Sequence, residues 1–151
     1  MTTFIDAWLL EAPMGLSQEL AGTVKLVSAG ARTEIKNALC LQVELQGGFC
    51  GSFWVIADAE ELARLFVAAR ITPNEVDDQR DAGLWRGIVQ QVAERAASVA
   101  TRDSGITTSI VAVRQARPSS EITSSAYEMR FGDTSVLVTF SDETTHAAVG
   151  K

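Results

Sequence analysis

Asp81–Ala100, DAGLWRGIVQQVAERAASVA, decides how the rest of the chain is read. It contains no proline. Leu84, Trp85, Ile88, Val89, Val92, Ala93, Ala96, Val99 and Ala100 recur at helical spacing, the broad apolar stripe of an amphipathic helix. Gln90, Gln91 and Glu94 fall on the polar side, and Asp103 to Gly105 ends the run. The stretch holds no phosphate loop, no metal-ligand spacing and no nucleophile beside a base.

Working outward, Ile106–Ala116, Ile122–Phe131 and Ser135–Phe140 read as three strands, with Gly132-Asp133 as the turn between the last two. From Ser141 onward the chain reads as a small, polar tail. On the upstream side, residues 71–79 (ITPNEVDDQ) form an acidic connector. There Pro73 and Asn74 stop one helix, and Asp77 or Asp78 can cap the next. Before it, Asp58 is the expected N-cap of a helix carrying Glu60 and Glu61 in its first turn, with Leu62, Leu65, Phe66 and Ala69 as its apolar face.

Thr33–Gln46 alternates Leu39, Leu41, Val43 and Leu45 with polar residues, the pattern of a half-buried strand. Gly47-Gly48 is a hairpin signal, and Phe49–Ala57 is the returning strand. Phe4–Ser28 reads as helical with a break at Pro13; Leu16, Leu20, Val24 and Val27 would share one face and Gly30 would cap the end. Hairpins grouped between long helices define an α+β arrangement, an antiparallel sheet packed against long helices. Residues 16–28 (LSQELAGTVKLVS) also overlay residues 88–100 (IVQQVAERAASVA), which raises the question of two pseudo-symmetric halves.

The chain has 151 residues, 46% of them hydrophobic and 21% charged, which suits a single globular domain over residues 1–151. Its net charge of −6, with scattered Lys and Arg, excludes phosphate-backbone binding as a main role, so nucleic acid is not an expected partner. The same balance disfavours an anionic membrane surface, and no apolar run reaches the length of a span. With no targeting segment in its first residues the protein is expected in the cytoplasm. Cys40 and Cys50 sit in apolar runs and read as buried free thiols. The one histidine, His146, lies in the tail, which removes Ser-His and Cys-His mechanisms. No metal or cofactor is expected.

Two stretches carry a resemblance. Residues 47–66 (GGFCGSFWVIADAEELARLF) resemble a Gly-containing strand followed by an amphipathic helix in the CheC/CheX/FliY family. Residues 81–95 (DAGLWRGIVQQVAER) resemble the start of that family's long helix. The FliM middle domain is similar in layout. The resemblance implies a chemotaxis or flagellar motor switch role in a bacterial cytoplasm. Its partner would be a response-regulator receiver domain or a like subunit, and a homodimer would form through sheet edges.

In the family's phosphatases the long helix carries Glu and Asn three residues apart, and together they position water for acyl-phosphate hydrolysis. Aligned on Asp81, this chain has Trp85 and Ile88 at those positions and Val111 at a later proline. A shift of one residue substitutes Leu84 and Gly87. No Glu-x-x-Asn occurs in the helix; the pair Glu34…Asn37 lies before a strand. Two readings stay open. Trp85 and Ile88 either point outward as a docking anchor or belong to the buried stripe. Gln90, Gln91 and Glu94 either form an altered phosphatase site or simply a solvated face.

Overall fold

The computed structural model describes residues 3–29, 35–71, 78–118 and 125–146. The elements run α1 (Phe4–Leu20), β1 (Val24–Ser28), β2 (Ala38–Gly47), β3 (Phe49–Asp58), α2 (Ala59–Ala68), α3 (Asp78–Ser104), β4 (Thr108–Gln115), β5 (Ser125–Phe131) and β6 (Thr134–His146). The six strands form one antiparallel sheet in the order β1-β5-β6-β3-β2-β4. The expected α+β class is therefore the observed one.

Alternation along the strands decides which face the helices cover. Leu39, Leu41, Val43 and Leu45 of β2, Phe53 and Val55 of β3, and Val136, Val138 and Phe140 of β6 enter a common core. That core also takes Phe4, Trp8, Ala12 and Leu16 of α1, Leu62, Leu65 and Phe66 of α2, and Trp85, Val89, Val92 and Ala96 of α3. Trp8 stands between Phe53 and Phe140, at 5.0 and 5.5 Å between ring centres. On the other face, Gln42 donates to Ser52 at 2.8 Å, the Trp54 indole donates to Glu143, and Arg114 pairs with Glu44.

Several expectations need correction. The first 25 residues or so are not one broken helix. α1 runs through Pro13, because its buried face outweighs the roughly 3 kcal/mol that an interior proline costs. It stops at Ala21, which adopts a left-handed conformation, and Val24 and Val27 belong to strand β1. The expected cap Gly30 lies outside the described residues, as do Thr33, Glu34, Pro73, Asn74 and Asp77. The sequence reading of a polar tail from Ser141 also fails: β6 continues to His146, paired with β3 as far as Phe49. Cys40 is only half-buried and Cys50 is exposed, since both face away from the helices. By contrast, the Asp58 carboxylate accepts the N–H groups of Glu60 and Glu61 at 3.0 and 3.1 Å, the expected cap.

The sheet order maps onto itself when β1, β2 and β3 are exchanged with β4, β5 and β6. The halves are thus α1-β1-β2-β3 and α3-β4-β5-β6, each lending its first strand to the other's hairpin. The equivalence extends to single atoms. Ser17 Oγ donates to the Pro13 carbonyl at 2.6 Å and accepts the Val24 N–H at 2.9 Å. Thr101 Oγ1 donates to the Ala97 carbonyl at 2.8 Å and accepts the Thr108 N–H at 2.9 Å. Each hydroxyl ties the last turns of a helix to the first residue of the strand that follows. Ala21 and Gly105, the residues after the two helices, both have positive φ (54° and 76°). The true overlay therefore sets Ser17 on Thr101, not residues 16–28 on 88–100. The earlier overlay matched two apolar stripes but laid a strand upon a helix.

Candidate functional site

α1 and α3 lie side by side and antiparallel on the core face of the sheet. Phe4, at the start of α1, meets the Phe49 ring at 6.0 Å, while Ala100, Asp103 and Ser104, at the end of α3, line one hollow with Phe49. Midway, Gly15 approaches Val92 and Arg95 so closely that an added Cβ would stand 3.1 Å from Val92. Arg95 bridges the two helices, pairing with Glu11 at 3.5 Å and donating to Gln18 at 2.7 Å. The layer so formed has one outward surface, built from the exposed sides of both helices: polar on α3, and including Leu10 and Met14 on α1.

On α3 that surface consists of Gly83, Arg86, Gly87, Gln90, Gln91, Glu94, Ser98 and Arg102, all exposed. Trp85 and Ile88 are not part of it. They are 2% and 6% exposed and sit in the core, so the outward docking anchor is corrected in favour of the buried stripe. The physical reason is the helical period: both lie in line with Val89, Val92 and Ala96, whose side chains face the sheet. The Trp85 indole N–H is buried with no acceptor among the described residues, and so is that of Trp8. In the shifted register Leu84 is half-buried and Gly87 exposed. Val111, 51% exposed, is the extra residue of a bulge where β4 pairs with Glu44 and Leu45 of β2.

Gln90, Gln91 and Glu94 do share the outward face. Gln90 Nε2 donates to Glu94 Oε2 at 3.2 Å, one helical turn away. The exposed positions three residues apart are Gly83 with Arg86, Gly87 with Gln90, and Gln91 with Glu94. None is a carboxylate followed by a carboxamide; Gln91…Glu94 has the two groups in reverse order. An added Cβ at Gly83 or Gly87 would meet nothing within 4 Å, so this end of the helix is flat and open. Among the described residues no cluster of His, Cys, Asp or Glu could hold a metal ion. His146 packs edge-on to Phe49 at 4.8 Å and lines the same hollow as Ala100, Asp103 and Ser104 at the end of α3, away from Gln90, Gln91 and Glu94. Among the described residues no helix is long and apolar enough to cross a membrane.

The fold is that of the CheX and FliM middle-domain structures, as the sequence resemblance implied. CheX from Borrelia burgdorferi, solved in complex with CheY-BeF3-Mg+2, is 14% identical. It superposes over 93% of this chain and 98% of its own with a TM-score of 0.66. A chemotactic CheC-like protein from Shewanella oneidensis is 11% identical over 93% and 97% of the two chains, with a TM-score of 0.64. FliM from H. pylori, in its complex with FliG, is 10% identical over 92% and 88%, with a TM-score of 0.62. At these identities the likeness is one of fold. No family model matches the sequence, and no curated protein matches it.

Proposed function

We propose that this protein is a non-catalytic interaction module of the chemotaxis or motor-switch kind, working in the cytoplasm. Its partner is a response-regulator receiver domain or a like subunit, met on the outward face of α3. The observation that carries this reading is the composition of that face: it offers no carboxylate followed by a carboxamide three residues on. Acyl-phosphate hydrolysis needs a water held between groups that orient it and take its proton. Glu94 is hydrogen-bonded to Gln90 of its own helix and has no such partner in the required order. Two similar folds, CheX and FliM, were solved with protein partners, which supports contact as the shared use of the scaffold.

Gly83 and Gly87 support contact too. Glycine in an exposed helix interior costs about 1 kcal/mol relative to alanine, and no described residue crowds either position. A partner backbone approaching the bare helix would make use of both. The test mixes the pure protein with acyl-phosphorylated receiver domains and follows both binding and phosphate release. Binding without faster release is expected, abolished by Gly87→Arg with the fold unchanged. Accelerated release that disappears in Gln91→Ala or Glu94→Ala would replace this reading with that of a phosphatase with an altered site.

A further inference from the structure

The inner stripe of α3 carries one residue out of character. Asp81 stands a turn before Trp85, in line with Ile88 and Val92, where every later side chain is apolar. It is 7% exposed, and among the described residues it is the one charged residue that is buried. A carboxylate taken out of water needs partners for its oxygens. Arg80 Nη2 approaches Oδ1 at 3.4 Å, longer than the roughly 2.7–2.9 Å of a good charge-assisted bond. Oδ2 accepts no hydrogen bond among the described residues, and it is not sealed from the surface. A place near the N-terminus of α3 suits a negative charge, yet an exposed acid would serve there equally, so the helix dipole does not account for the burial.

Asp81 lines a hollow where the start of α3 meets the starts of β2 and α2 and the end of β4. Its volume is about 170 Å³. One water needs only roughly 10–15 Å³ on that measure. Leu39 and Leu62, both buried, form apolar walls, and the small side chains of Ala59 and Ala82 keep the space open. Gln115 is the other polar side chain on the lining. A carboxylate beside apolar walls is complementary to a cation on an aliphatic stem. Because Arg80 already holds Oδ1, one oxygen is left. That suits a compact ammonium, whereas a guanidinium fork makes best use of both.

From this we infer that the hollow at the start of α3 is a binding site for a primary alkylammonium group. The nitrogen would sit on Asp81 Oδ2, with its unbranched carbon stem between Leu39 and Leu62. A free alkylamine and a lysine side chain of another protein share this chemistry. The site lies on the inner side of α3 and does not rest on the role proposed for the outward face.

The test titrates the full chain with n-butylammonium chloride and follows amide chemical shifts. Shifts should saturate at roughly millimolar amine, as suits a ligand of a few heavy atoms. They should centre on residues 38–39, 59–62, 81–82 and 115. n-Butanol, with the same stem and no charge, should bind about tenfold more weakly or worse. Asp81→Asn keeps the shape and removes the charge, with a loss of the same size. Ala82→Leu fills the hollow, leaves the carboxylate in place and should abolish binding; it decides the matter if circular dichroism shows that Asp81→Asn does not fold. N-acetyl-lysine amide separates the two sources: tighter binding than butylammonium assigns a partner's lysine, weaker binding a free amine. Absence of saturable shifts with butylammonium, equal shifts from n-butanol or potassium chloride, or undiminished binding by Ala82→Leu would each overturn the inference.

Discussion

At Trp85 the difference between a binding residue and a core residue is a matter of about 100° around a helix. Its side chain is buried between α3 and the sheet side of the molecule, and replacing it opens a large cavity. Trp85→Ala is therefore expected to destabilise the fold by about 3–5 kcal/mol in urea or thermal melts. A docking anchor would instead leave stability unchanged. The cysteines differ in kind from one another as well. Burial pushes the Cys40 thiol up from its ordinary range, and the nearby Arg117 charge offsets this in part. A thiol whose pKa is raised by folding favours the fold in full below the unfolded value and loses that contribution as the pH rises through the folded one. Stability should thus fall at alkaline pH, and Cys40→Ser should remove that part of the decline. Exposed Cys50 should react with a thiol reagent at pH 8 about tenfold faster than half-buried Cys40 in the native protein. Equal rates would contradict the placement of the two side chains.

At the scale of elements, the paired hydroxyls of Ser17 and Thr101 give a quantitative check on the two halves. Each accepts the N–H that opens a strand, Val24 in β1 and Thr108 in β4. Ser17→Ala and Thr101→Val each leave that N–H without its acceptor, at an expected cost of about 1–3 kcal/mol in denaturant melts. Equivalent roles predict similar costs and, since the sites are far apart, additivity in the double variant. The same elements show what a sequence can and cannot disclose. The 3.6-residue period found α3, and the period of two found β2 and β3, because each was long and one-sided. It failed at Ala21–Thr23, where Leu16, Leu20, Val24 and Val27 keep helical spacing across a turn. The overlooked signal was Gly22, where an added Cβ would stand 2.6 Å from the Phe131 ring, followed by the alternating run Val24–Ser28. Trp85 stayed ambiguous for a related reason: a broad stripe does not mark its own edge, and only the sheet beneath it does. The candidate face on α3 was legible by elimination, through Gln90, Gln91 and Glu94.

For the molecule as a whole, the sheet is continuous across its centre, where Val55 of β3 pairs with Phe140 of β6. Both outer strands carry features that discourage further pairing. β1 is five residues long and exposes Lys25, and β4 is bulged at Val111. A homodimer through the sheet edges would have to overcome both. The exchange of first strands has a separate consequence for how the chain can be divided. Among the described strands, β1 has β5 as its only ladder partner, and β4 has β2. Cut between Pro73 and Asn74, the protein becomes two fragments, each with a strand whose ladder partner is on the other. Neither fragment alone should show a sheet by circular dichroism, yet mixed together they should clasp like folded hands and regain it. The fragments would then report assembly as a bimolecular event, with a concentration-dependent midpoint. Independent folding of either piece would show that the crossed strands are not what joins them.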